Sequence, residues 1–146
     1  MRRIALLATT LALLSGPALA QDPIGVEGLY MGHGEGELTV DITHIESDRY
    51  AISISTVVPM ENDIPGCGGG IEGEVLLDKK GGNFFAENEF YDPEGDTPSS
   101  RARYCEIGLS FDGKGELAIE ERDGCISYHG AACGFTGTLL HDAAGI

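Results

Sequence analysis

Basic residues are scarce in this sequence. Nine Lys and Arg stand against 24 Asp and Glu, giving a net charge of −15 over 146 residues. Such a field repels nucleic acid and anionic membranes and attracts cations and basic proteins. It also serves the plainer end of keeping a protein soluble. Tryptophan is absent. Long apolar runs are missing as well: the longest, Ile4 to Leu14, falls well short of the roughly 20 residues of a membrane span. No segment carries a helical period. No Gly-x-Ser-x-Gly elbow and no His-Glu-x-x-His pair occurs. Gly32-His-Gly-Glu-Gly-Glu37 has no basic neighbour and no strand–turn–helix context, so it is neither a phosphate loop nor a dinucleotide fingerprint. The carboxylate pairs Glu35/Glu37, Glu87/Glu89 and Glu120/Glu121 are what chance supplies in so acidic a chain, and do not argue for a glycosidase. Asp92-Pro-Glu-Gly-Asp96 matches a calcium loop only in part. His33 and His44 read as surface residues. These absences point away from an enzyme and call for no cofactor and no metal.

What is present begins with a leader. Arg2 and Arg3 precede the apolar run, and Ser15-Gly-Pro-Ala-Leu-Ala20 ends in an A-x-A cleavage pattern. Residues 1–20 therefore read as a signal peptide cleaved after Ala20. The next residue is Gln21, not cysteine, so no lipid anchor is expected and the destination is the periplasm or beyond. Residues 21–146 suffice for one domain with one core. Loss of two arginines with the leader leaves 24 acids against seven bases, a charge of −17.

The full sequence holds 22 glycines, and apolar residues after the leader recur with period two, an all-β signature. Strands are expected over Gly28–His33, Glu37–Ile45, Arg49–Val58, Ile71–Asp78, Asn83–Tyr91, Arg101–Phe111, Glu116–Glu121 and Gly134–His141. Pro59 to Gly70, with Pro65, Cys67 and three consecutive glycines, reads as a long irregular loop. Asp92 to Ser100 reads as a second. Phe84, Ala86 and Phe90 are expected on one inward face, and Gly73 and Gly137 at inward positions where walls approach. Eight short strands suit a small, closed or nearly closed antiparallel barrel.

Cys67, Cys105, Cys125 and Cys133 all lie after the leader, so an oxidising compartment implies two disulfides. Four cysteines allow three pairings. The short loop favours Cys125–Cys133, leaving Cys67–Cys105. Cys125-x3-His129-x3-Cys133 also has a spacing of interest for metal, but export argues against thiolate ligands. The segment between Cys125 and Cys133, Ile-Ser-Tyr-His-Gly-Ala-Ala, bears no formal charge. Closed by a disulfide, it is expected to project as a rigid finger, with Tyr128 and His129 giving contact area and Gly130, Ala131 and Ala132 slim enough for a groove. The plainer alternative is a staple between the last two strands, with Tyr128 packed on the barrel.

The segment Cys125-x-x-Tyr-His-Gly-Ala-Ala-Cys-Gly-Phe-x-Gly137, the Ser100-x-x-x-Tyr104 spacing and Lys114-Gly-Glu-Leu-Ala118 resemble the bacterial periplasmic inhibitors of C-type lysozyme. The chain departs from that pattern in lacking a glycine after Ser100 and a tryptophan before Lys114. The resemblance implies an eight-stranded barrel that pushes loop residues into the lysozyme cleft and hydrogen-bonds its catalytic carboxylates. Ser100, Tyr104 and Lys114, or alternatively Tyr128 to Ala132, would occupy the cleft. A basic enzyme would be steered to an acidic shell at a salt-sensitive rate. The alternatives are a barrel holding a small ligand in its interior and an envelope-associated structural module. A homodimer stays open.

Overall fold

A computed structural model describes residues 24–145; the leader with its cleavage position, and Gln21, lie outside the described residues. The chain forms eight strands: β1 (Gly28–Gly34), β2 (Glu37–Glu46), β3 (Arg49–Val58), β4 (Cys67–Leu76), β5 (Gly81–Glu87), β6 (Tyr104–Phe111), β7 (Glu116–Glu121) and β8 (Gly137–His141). A four-residue helix, α1 (Pro98–Arg101), interrupts the β5–β6 connection. The strands make one antiparallel sheet in the order β4-β3-β2-β1-β8-β7-β6-β5, curled into a nearly closed barrel. β4 and β5 end that order and meet without a ladder between them.

Alternation builds the core. Leu38, Val40 and Ile42 of β2 face Ile52 and Ile54 of β3 across a register that pairs Val40 with Ile54 and Ile42 with Ile52. Phe84, Ile107, Leu117, Phe135 and Leu139 are buried to 1% exposure or less and fill the interior. Gly73 and Gly137 do mark close approaches: a Cβ at Gly73 would lie 3.0 Å from the Phe84 ring, and one at Gly137 would lie 2.4 Å from Leu38 Cδ1.

Four expectations are corrected. β4 starts at Cys67, so the glycine run Gly68–Gly70 is strand, not loop. β5 stops at Glu87, and Phe90 beyond it is exposed, not inward. The sixth strand starts at Tyr104, because Pro98–Arg101 coils into α1. The eighth starts at Gly137, although Phe135 ahead of it is fully buried.

Because every ladder is antiparallel, the connections sort to two ends. The β2–β3, β4–β5 and β6–β7 turns share one end with both described termini, here called the terminal end. The 59–66, 88–103 and 122–136 connections share the other, which also holds both disulfides and is called the disulfide end.

At the terminal end, Tyr30 is 1% exposed and its hydroxyl donates to the carbonyls of Gly25 and Val26 at 3.3 and 3.1 Å. This bond holds the segment before β1 across the barrel mouth. Burial, aided by the negative Asp142, pushes the Tyr30 hydroxyl up to about 12. A raised value means that the unfolded chain ionises first. Stability from this group is therefore intact below about pH 10 and is lost as pH rises towards about 12. Thermal unfolding followed across that alkaline range should fall more steeply for the native chain than for Tyr30→Phe.

Candidate functional site

Two disulfides organise the disulfide end. Cys67 of β4 bonds Cys133, and Cys105 of β6 bonds Cys125. This overturns the expected Cys125–Cys133 and Cys67–Cys105 pairing. Cys125 and Cys133 are the two feet of one loop, and each foot is fastened to a different strand. The loop is consequently a strap that runs from β6, past the end of β5, to β4. It bridges the two strands that lack a mutual ladder. With both sulfurs committed to disulfides, the Cys125-x3-His129-x3-Cys133 spacing supplies no thiolate ligand.

Local hydrogen bonding shows the same. Gly70 N donates to Tyr128 O at 3.0 Å, and Gly130 N donates to Gly68 O at 3.3 Å, so the strap adds a short antiparallel bridge to the edge of β4. On the opposite side, Tyr128 Oη donates to the Glu87 carbonyl of β5 at 2.6 Å. Burial first, then the charges of Glu89 and Glu87, raises the Tyr128 hydroxyl, which keeps it a donor. Two glycines are needed here: a Cβ on Gly69 would lie 2.3 Å from His129 Cβ, and one on Gly130 would lie 2.7 Å from Cys67 Sγ. Those glycines let one backbone lie against another.

His129 points inward. Its side chain is 7% exposed, stands edge-on to Phe135 at 5.1 Å, and has Nε2 2.9 Å from Glu121 Oε1 and Nδ1 2.7 Å from Gly130 O. The other Glu121 oxygen accepts the Phe135 N–H at 2.8 Å. Both ring nitrogens and both carboxylate oxygens are thus occupied within the fold. A general base would need one of them free to reach a substrate. The projecting finger is corrected accordingly: Tyr128 and His129 are anchors of the strap, and Gly130, Ala131 and Ala132, with Ile126 near the other foot, present its exposed, uncharged parts.

The 88–103 connection lies beside the strap, with Ser99 lining one shallow depression together with Gly124, Cys125 and Ile126. Asn88, 5% exposed, organises it: its Nδ2 donates to Ser99 O and Ala102 O at 2.8 and 2.7 Å, and its Oδ1 accepts Phe90 N–H at 3.0 Å. Thr97 and Ser100 form the capping box of α1, with Ser100 Oγ donating to Thr97 O at 2.9 Å. Ser100 is therefore half-buried and engaged in its own turn.

Tyr104 is exposed on the outer face of β6 and has company that sequence reasoning missed. Phe85 of β5 stands edge-on to Tyr104 at 6.4 Å, and the Arg103 guanidinium lies 5.8 Å from the Tyr104 ring and 5.6 Å from the Tyr91 ring. Phe85, Tyr91 and Tyr104 are 54%, 39% and 44% exposed. With Arg103 between the two tyrosines, they form a ladder of aromatic rings and guanidinium on the rim of the disulfide end. Alternation carried the signal for Phe85, since an inward Phe84 puts Phe85 outside. Tyr91 and Arg103 follow no period and come together only through the 88–103 turn. Lys114 is exposed in the β6–β7 turn at the terminal end. The eight residues of β6 separate it from Tyr104 by about 23 Å at strand rise. The structure therefore groups Ser100, Tyr104 and Tyr128–Ala132 and sets Lys114 apart.

Among the described residues, no cluster of three His, Cys, Asp or Glu could hold a metal ion. Disulfide mapping of the oxidised protein should return Cys67–Cys133 and Cys105–Cys125. Tyr128→Phe should cost about 0.5–1.5 kcal/mol in denaturant unfolding, the worth of one ordinary hydrogen bond. Gly69→Ala should cost more, about 1–3 kcal/mol, because backbone has to move.

Comparison with family models, with curated proteins and with solved structures finds no match to this chain.

Proposed function

We propose that this chain is an exported, non-enzymatic binding protein of the periplasm. Its disulfide end docks on a basic protein, and the target is a C-type lysozyme. The observation that carries the docking is the exposed ladder of Phe85, Tyr104, Arg103 and Tyr91 on the rim of an otherwise acidic shell. Tyr and Arg are the residues that most often dominate binding energy at protein interfaces. The choice of lysozyme rests on the sequence resemblance of the C-terminal third.

Each part of the site has a physical role in this reading. The acidic field, −15 for the whole chain, raises the rate of encounter with a cationic enzyme. Two disulfides, the Asn88 bonds and the α1 cap fix the surrounding backbone beforehand, which lowers the ordering cost of association. Tyr104, Tyr91 and Arg103 give the anchoring contact. Gly130 to Ala132 offer an uncharged edge that sets no carboxylate against the catalytic ones. Lys114 takes no part, since it stands at the far end of the barrel.

A lysis assay with a C-type lysozyme tests the reading. Inhibition should appear near stoichiometric ratio and its onset should slow with added salt. Tyr104→Ala and Arg103→Ala should each weaken inhibition by about tenfold or more, the scale of an interface hot spot, while Lys114→Ala leaves it unchanged. Full lysozyme activity at micromolar excess of the protein, with no complex on a sizing column, would refute the proposal.

A further inference from the structure

The terminal end holds a second site of different character. Between the segment before β1 and the barrel wall lies an apolar cavity of about 310 Å³. Ile24 and Val26 roof it, Tyr30 and Phe111 form its floor with ring centroids 5.9 Å apart, and Lys79 stands at its edge. The volume falls at the lower limit of small-molecule pockets, about 300 Å³, which suits a short chain rather than a long one. The one polar group on the floor, the Tyr30 hydroxyl, is already given to the Gly25 and Val26 carbonyls. Nothing inside the cavity asks for a polar ligand.

Its rim does. All three lysines of the chain, Lys79, Lys80 and Lys114, sit in two of the three turns at this end. Lys79 lines the cavity, and Lys114 lies between Gly113 and Gly115, which line it too. Among the described residues neither lysine is in an ion pair. The neighbouring acids are mostly committed. Asp112 accepts the backbone N–H groups of Lys114 and Glu116 at 2.7 and 2.9 Å, and those bonds hold its carboxyl below the usual range. Asp78 accepts those of Lys80 and Gly81 at 2.7 and 3.0 Å. Asp142 Oδ1 lies 2.9 Å from His141 Nδ1, an ion pair only when that ring is protonated. Glu116, on the outer face of β7, is the one carboxylate that lines the cavity. An apolar slot lined by the Lys79 side chain, with Lys114 in the adjoining turn, matches an amphiphile with an anionic head.

We infer that this cavity binds a small amphipathic carboxylate, its short acyl chain between Tyr30, Phe111 and the Ile24–Val26 roof and its carboxylate between Lys79 and Lys114. The site is about the length of β6 from the aromatic ladder, so it is independent of the docking surface and of the lysozyme reading.

Octanoate, octanol and octyltrimethylammonium are the probes, titrated into the oxidised protein and followed by amide NMR shifts at Gly25, Gly113 and Gly115. Saturable shifts with octanoate, weaker with octanol and absent with the cation, are expected. The double variant Lys79→Ala/Lys114→Ala should weaken octanoate roughly fivefold, as two solvent-exposed ion pairs allow, and leave octanol unchanged. Val26→Trp, which fills the slot, should abolish both, with amide dispersion elsewhere reporting that the barrel is intact. Equal affinity for octanoate and octanol, or octanoate binding that survives Val26→Trp, overturns the inference. So does the absence of any saturable shift.

Discussion

An antiparallel sheet of eight strands has two edges, and β4 and β5 are left without a ladder to each other. Exposed edges invite pairing with other chains. Here the remedy is covalent. One segment of nine residues, Cys125 to Cys133, is bonded at one foot to β6 and at the other to β4, and Tyr128 ties its middle to β5. By the loop-entropy estimate, cross-links enclosing 20 and 66 residues are worth about 3 and 4 kcal/mol. That compares with the roughly 5–15 kcal/mol of net stability typical of a domain. Reduction of these bonds would remove the strap's attachment to both flanks, and with it the arrangement of the 122–136 and 88–103 segments.

The barrel was legible in the sequence because its physics is local. Alternation in β2, β3 and β7 places Val40, Ile54 and Ile119 inside whatever the rest of the chain does. Legibility failed where a residue serves a contact distant in sequence. Gly68 to Gly70 looked like a break in structure, since glycine is a poor strand former. The small size of Gly69 is what admits the strap, brought there from sixty residues downstream. The cysteine pairing failed for the same reason. The shortest loop is favoured by chain entropy alone, whereas the fold sets Cys125 beside β6 and Cys133 beside β4. The candidate site divides likewise. The pattern of the segment 125–133 was visible, but its inward turn was not, because that depends on His129 finding Glu121 and Phe135.

Charge is distributed in a way that composition conceals. A total of −15 suggests a uniformly anionic shell. Arg49 and Arg122 are spent on Glu46, Glu74 and Glu106 along the outer wall. The remaining Lys and Arg of the described residues collect at the ends: Arg101 and Arg103 at the disulfide end, Lys79, Lys80 and Lys114 at the other. Each cationic group therefore neighbours an apolar feature, aromatic rings in one case and an apolar slot in the other.

The filled interior decides where binding can occur at all. An eight-stranded barrel is just wide enough for its own side chains. Phe84, Phe135, Tyr30 and Leu38 occupy that space, and Gly73 and Gly137 let the opposed walls close on them. A ligand seated in the centre would have to displace core side chains, each worth several kcal/mol when deleted. Among the described residues, the outer wall and the two ends remain. The disulfide end is closed by a strap with two covalent feet, which makes it rigid and suits it to surface recognition. The terminal end is closed by a few residues held through Tyr30 and by packing, and that thinner closure leaves a cavity. The difference between the two poles thus follows from how each mouth of one barrel is shut.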